Sequence, residues 1–249
     1  MCYDMSFFSS IKKITDIIPP DEEPGFDVVP TWHQVAQSWH PFPVAFRESN
    51  KIKLKLFEWG LIADYMNTPQ KVTQYRSSMA NARSEKIIHD PKSIWHRIRH
   101  QRCVVFTTGF FEHRNIQTKK KVPYFVKVKE QEVFCLAGLY NYSPLPDPET
   151  GEVIGTFTVI TRKANSLMRL IHNDGASAER MPLILPNNWA ETWLRADLTD
   201  QELQTILDYE LPSALLETWP VHTIRTRKTD DPSVIEPNRD PGIPRLEQA

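Results

Sequence analysis

The most distinctive chemistry in the chain sits at its second position. Met1 is followed by Cys2, and aminopeptidases trim an initiator methionine when the next side chain is small. The mature chain would then begin with an α-amine and a β-thiol on adjacent carbons. Such a pair captures aldehydes: the amine condenses to an imine, the thiolate adds to the imine carbon, and a five-membered thiazolidine closes. No internal cysteine can do this. Reference pKa values of about 7.7–8.0 for the amine and about 8.5 for the thiol leave reactive fractions of both at neutral pH. Judged on position alone, an inert residue on a frayed end is the simpler reading.

Other residues have chemical potential of their own. Glu112 follows Gly109-Phe110-Phe111, so its carboxyl is set among aromatics, a setting that raises a carboxyl pKa toward neutrality. Asn81, in a small polar run, and His172, at the end of a short helical segment, are each compatible with a local turn or capping role. From Arg83 to Arg102, the bases Arg83, Lys86, Lys92, Arg97, Arg99 and Arg102 face only Glu85 and Asp90, with Trp95 among them. That stretch reads either as a nucleic-acid surface or as a solvated amphipathic helix around residues 93–100.

Composition bounds the setting. At 249 residues with 40% apolar and 24% charged side chains, the chain can bury a core as one large domain. The expected division is a single domain over residues 1–227 and a polar, proline-rich tail over 228–249. Twenty prolines against eight glycines favour stiff connections in a sheet-rich, loop-rich architecture. A net charge of −1 gives no global pull toward polyanions, which excludes a coating protein but not a local basic groove. Cys2, Cys103 and Cys135 are an odd number of cysteines without a CxxC pair, arguing for a reducing compartment and against a disulfide frame or zinc site. Cys103 and Cys135 lie in apolar runs, as core residues do. No leader or bilayer-length apolar run is evident, so a cytoplasmic location is expected.

The elements that must position these residues are mostly strands. The spacing predicts a helix over 10–18 capped by Ser9 or Ser10, and strands over 26–31, 51–57, 103–106, 124–129, 133–140, 156–161, 181–186 and 219–226. In 51–57, Ile52, Leu54 and Leu56 alternate with Lys51, Lys53 and Lys55, giving one core face and one wet face. Residues 77–85 read as a loop or helix entrance, and 141–151 as a surface excursion. Short helices are predicted over 164–171, through Leu194 after Asn187 or Asn188, and to Tyr209 after a capping box at Thr199 and Glu202.

Four stretches in order, Met1-Cys2, Asn81-Ala82-Arg83-Ser84-Glu85, Gly109-Phe110-Phe111-Glu112, and His172 with Arg180-Met181-Pro182, resemble the signature blocks of the SRAP family, the "SOS response-associated peptidase" proteins that shield abasic sites in single-stranded DNA. Trp59-Gly60-Leu61-Ile62, Ala137-Gly138-Leu139, residues 157–161 and Asp230-Asp231-Pro232-Ser233 support the match. The fold expected is α+β, a mainly antiparallel, barrel-like β-sheet core with short flanking helices. The resemblance implies that Cys2 forms the thiazolidine with the ring-opened sugar, that Asn81 holds the terminal amine and sugar, and that Glu112 moves protons. It gives His172 a part in imine formation and reversal, Thr161 a place beside that histidine, and Arg83 and Arg180 a grip on phosphates. Trp59 is grouped with the DNA-binding residues. No cofactor or metal is implied. The expected partner is single-stranded DNA carrying abasic sites, bound by a monomer that joins the nucleoid when on DNA and does not engage membranes.

Departures from the family pattern are local. Tyr3-Asp4 stands where Gly-Arg is common, replacing one expected phosphate contact by a carboxylate; His113 replaces an aromatic, Ala63 a proline, and residues 173–179 are an insertion. Two other classes stay open at this point: an N-terminal-nucleophile peptidase or amidohydrolase with Cys2 as nucleophile, and a non-catalytic single-stranded nucleic-acid-binding module.

Overall fold

A computed structural model describes residues 2–117, 120–226 and 230–246. In chain order the strands are β1 (Asp4–Phe7), β2 (Thr31–Val35), β3 (Pro41–Glu48), β4 (Lys51–Trp59), β5 (Asn81–Arg83), β6 (Arg102–Thr107), β7 (Gly109–Gln117), β8 (Lys120–Val128), β9 (Phe134–Pro146), β10 (Val153–Lys163), β11 (Arg180–Pro182), β12 (Ile184–Leu185) and β13 (Leu216–Pro220). Strands β10, β4, β3, β6 and β9 hydrogen-bond in that order, and β9 pairs back onto β10, closing a five-stranded barrel. Closure removes the open edges that a sheet must otherwise protect. The α+β expectation, with an antiparallel, barrel-like core, is met; within the ring only β4 and β10 run parallel.

Side chains from every wall fill the barrel and its flanks: Phe42, Phe46, Phe57, Phe106 and Phe157 are all buried. Gly138 permits the closure, because a Cβ there would lie 2.8 Å from Cys103 Sγ and 2.9 Å from the Thr158 carbonyl. Cys103 and Cys135 are buried free thiols in this core, as their apolar surroundings predicted.

A second, fully antiparallel sheet runs β13-β8-β7-β1-β2. It is joined to the barrel where β6 turns into β7: Thr107 Oγ1 donates to the Ser6 carbonyl at 2.8 Å, and the Ser6 and Thr108 hydroxyls are 3.0 Å apart. Residues 230–246 lie over this sheet. The Asp230 carboxylate accepts from the Trp32 and His33 amides, Trp219 Nε1 donates to the Ile235 carbonyl, and Arg114 to the Pro244 carbonyl. Residues 228, 229 and 247–249 of the expected tail, and residue 227 before it, lie outside the described residues.

The helices are short, the capping-box helix being Asp200–Leu207. None among the described residues is long and apolar enough to cross a membrane. Several expectations are corrected. The strand expected over 26–31 begins only at Thr31, since Pro30 has no amide to donate and Val29 is exposed. The excursion expected over 141–151 is an extension of β9 to Pro146 and a turn into β10, and 77–85 contains β5, of which Asn81 and Ala82 are buried. The last strand is displaced to Leu216–Pro220. In β4, Leu56 is partly exposed rather than core, while Lys51 and Lys53 pair with Glu22 and Glu48 on the wet face.

In the basic stretch from Arg83 to Arg102, Arg83, Lys86, Lys92 and Arg97 are exposed, while Arg102 is turned inward. Trp95 is buried, and Arg102 donates to the carbonyls of Arg99, Trp193 and Arg195, stapling β6 to the helix Ala190–Trp193 and its exit.

Candidate active site

The site forms where the start of β1 meets the barrel. Strand β1 is registered between β2 and β7, with Asp4 opposite Phe111, which draws the preceding Cys2 inside; it has no exposed surface. Asn81 comes from β5, a three-residue strand parallel to β10. Trp59 fixes the approach to β5, its indole Nε1 donating to the Ala80 carbonyl at 2.9 Å. Asn81 Nδ2 then donates to the Cys2 carbonyl at 2.8 Å. The other end of that amide, Oδ1, is buried and accepts no hydrogen bond among the described residues.

Glu112 rises from β7, three residues after Gly109. A side chain at Gly109 would collide with the Phe125 ring, at 2.0 Å, so glycine lets β7 lie tightly against β8 there. Glu112 Oε1 accepts from the His113 amide at 3.0 Å, and its Oε2 lies 3.9 Å from His172 Nδ1. His172 follows the helix Ser166–Ile171. Its Nδ1 is 2.9 Å from the Arg180 carbonyl and 3.2 Å from the Arg180 amide, so the backbone of β11 orients the ring.

Burial dominates the electrostatics. It pushes the Cys2 thiol well above its usual range, and the Glu112 carboxylate adds to this. It raises the Glu112 carboxyl and lowers His172 to about 4, so the imidazole is neutral at physiological pH. Burial also pushes Asp4 upward, but hydrogen bonds from His33 Nε2 at 2.9 Å and from Arg225 hold its carboxyl below the ordinary value.

A hollow of about 450 Å³ opens in front of these groups, lined by Tyr3, Asp4, Glu112, His113, His172 and Arg225, with residues 174–177 as its wall. The inserted segment is fastened at its base. Asn173 Oδ1 accepts from the Asn115 amide at 2.8 Å, Asn173 Nδ2 donates to the Asn115 carbonyl at 3.0 Å, and Lys121 pairs with Asp174 at 2.7 Å. Ala176 and Ser177 also line a second hollow of about 400 Å³ that contains Arg83, Lys163 and Arg169.

Cys2, Asn81, Glu112 and His172, far apart in sequence, are thus brought together. The residues expected to touch DNA are placed differently from one another. Arg83 is exposed in the second hollow. Trp59 has no exposed surface and stacks against Phe157, so it offers no face to a base. Thr161 is also fully buried, donating to the Ala82 carbonyl and accepting from Arg180 Nε, both at 3.3 Å. Arg180 is not displaced by the insertion: it pairs in β11 opposite Lys163, and its guanidinium is held by both Glu85 carboxylate oxygens at 2.7 and 3.0 Å. It ties β10 to Glu85, two residues past β5. Sequence reasoning passed over Arg225, Lys121 and the Asp4–His33 contact. Arg225 stands 221 positions from Asp4, beyond the reach of any local pattern.

The family model described as SOS response associated peptidase (SRAP) matches residues 1–225. The chain is 30% identical over 240 residues to the abasic site processing protein YoqW of Bacillus subtilis (strain 168), covering 95% of this chain and 99% of that protein. It is 27% identical over 191 residues to the abasic site processing protein HMCES of Xenopus tropicalis, covering 66% of this chain and 53% of that one. A crystal structure of a Bacteroides thetaiotaomicron protein superposes with a TM-score of 0.81 at 27% identity, covering 95% of this chain and all of that one. The chain belongs to the SOS response associated peptidase (SRAP) family.

Proposed function

We propose that this protein captures abasic sites in single-stranded DNA by closing a thiazolidine between the ring-opened sugar and Cys2, once Met1 has been removed. Met1 lies outside the described residues. The observation that carries the reading is the Asn81 amide: one end grips the Cys2 carbonyl, and the other is a buried acceptor without a donor among the described residues. A buried acceptor left unpaired costs on the order of 1–3 kcal/mol, so its retention is accounted for by a donor that arrives with function. The terminal amine or a sugar hydroxyl would be that donor. The names of the bacterial and vertebrate relatives point to the same lesion.

The steps balance. The Cys2 amine adds to the aldehyde carbon, giving a carbinolamine; protonated Glu112 delivers its proton to the carbinolamine hydroxyl, and water leaves as the imine forms. The nitrogen keeps its own proton, as an iminium; the resulting Glu112 carboxylate takes the thiol proton while Sγ bonds to the iminium carbon and the π electrons return to nitrogen. Aldehyde and aminothiol become thiazolidine and one water. The raised pKa of Glu112 suits both directions, and such transfers contribute about 10²- to 10⁴-fold. Neutral His172, oriented by the Arg180 backbone, assists proton movement in imine formation and its reversal. Because Cys2 is buried behind the hollow, the sugar must leave any base stack, which is least costly in a single strand.

The peptidase reading would need an acyl-enzyme that turns over, and self-removal of Met1 is compatible with either. Incubation with a single-stranded abasic oligonucleotide is expected to give an adduct that survives denaturing electrophoresis, with intact mass showing Met1 absent. Adduct of equal yield from Cys2→Ala would overturn the proposal.

A further inference from the structure

Arg225 rims the reaction hollow, and nothing in the catalytic scheme uses it. Its side chain is 52% exposed, yet its base is fixed: Nε donates to Asp4 Oδ1 at 3.2 Å and one terminal nitrogen to Asp4 Oδ2 at 2.7 Å. Asp4 is itself buried, and its carboxyl is braced from the other side by His33 Nε2. The second terminal nitrogen, Nη1, makes no hydrogen bond among the described residues. A guanidinium with two of its corners anchored loses little further side-chain entropy on binding an anion, and its planar fork fits a phosphate oxygen.

We infer that Arg225 binds a backbone phosphate of the DNA strand at the mouth of the hollow, with Asp4 as the positioning residue that holds it there. The charge that faces the strand comes from beyond the last strand of the second sheet, across 221 residues from Asp4. The pair is electrically neutral in the free protein. A phosphodiester arriving at Nη1 makes a charge-assisted bond without breaking the anchor, because the two Asp4 bonds use other atoms of the guanidinium. This inference rests on the proposed capture of single-stranded DNA, and it assigns one of the contacts that would hold the strand while the sugar reacts.

The test uses an intact, base-complete single-stranded oligonucleotide, so that affinity is read without covalent chemistry. Binding is followed by fluorescence anisotropy over a series of salt concentrations. Arg225→Gln is expected to weaken binding several-fold at low salt and to flatten the slope of log K against log salt by about 0.7, the value for one phosphate contact on a single strand. The double variant Asp4→Asn, Arg225→Gln removes both charges together, so net charge is unchanged and no buried carboxylate is orphaned. It is expected to show the same flattening, whereas a field effect of overall charge would leave it like the wild type. Arg225→Lys keeps the charge without the fork and is expected to restore the slope but only part of the affinity. A wild-type slope in the double variant overturns the inference. If the wild type binds intact strands but never forms an adduct with abasic ones, the capture reading falls while the slopes still decide the role of Arg225.

Discussion

Asn81 and Cys2 are joined by a single 2.8 Å hydrogen bond between a side-chain amide and a main-chain carbonyl, and this bond ties the three-residue strand β5 to the first residue that the structure describes. It fixes the carbonyl side of Cys2, whose side chain is wholly buried. Orientation of a reactive pair is worth most when the pair is short and stiff, because little freedom remains to be lost in the transition state.

Replacing Asn81 by Ala is therefore expected to slow adduct formation by about 10- to 100-fold at saturating DNA, or about 1.4–2.8 kcal/mol in the barrier at 1.4 kcal/mol per decade. Asn81→Asp keeps an acceptor but loses the donor to the Cys2 carbonyl, and intermediate rates are expected. Single-turnover gels with a labelled abasic strand measure both.

Glu112 sets the descending limb of the pH profile. Burial raises its pKa, so the protonated form that helps expel water persists toward neutrality and disappears as pH rises through the raised value. The free amine appears in the opposite sense, with a reference pKa of about 7.7–8.0. A bell-shaped rate profile is expected for the wild type. Glu112→Gln should lower the rate at the optimum by about 10²- to 10⁴-fold and leave only the rising limb. A bell of unchanged shape in the variant would remove Glu112 from this role.

His172 makes folding depend on pH. Its pKa falls from 6.5 to about 4 because burial disfavours the imidazolium. Between those values the unfolded chain binds the proton and the folded chain does not, so this contribution is full above pH 6.5 and is lost as pH drops toward 4. At about 1.4 kcal/mol per unit the loss is up to about 3 kcal/mol. Denaturant melts at pH 4.5 and 7 are expected to differ less for His172→Gln than for the wild type. Equal differences would count against the depressed pKa.

Trp59→Phe separates support from contact. Losing the indole bond to the Ala80 carbonyl is expected to cost about 1 kcal/mol of stability and to slow adduct formation through a less firmly held Asn81. Affinity for an intact strand should stay at the wild-type value, because the ring has no exposed surface. A base-stacking residue would instead lose about 1–3 kcal/mol of binding.

The parts of the fold legible in the sequence were those with repetitive local patterning. The Ile52 and Leu54 alternation marked β4, and Thr199 with Glu202 marked the capped helix. Strands β1 and β5 are four and three residues long, too short for periodicity, and exist because distant β7 and β10 accept them. The four residues proposed to react could be named from their blocks, yet the blocks carried no information on burial. Trp59 and Arg180 therefore read as surface residues until the structure showed a core indole and a guanidinium held by Glu85.

The insertion over 173–179 is anchored by Asn173 and Asp174 and divides two hollows with its tip, while the residues that would do chemistry are mounted on the barrel and the second sheet. Doorway and reagent are thus built from separate parts of the chain. Exchange of this one loop between homologous chains would re-cut the entrance for differently shaped strands and leave the warhead untouched.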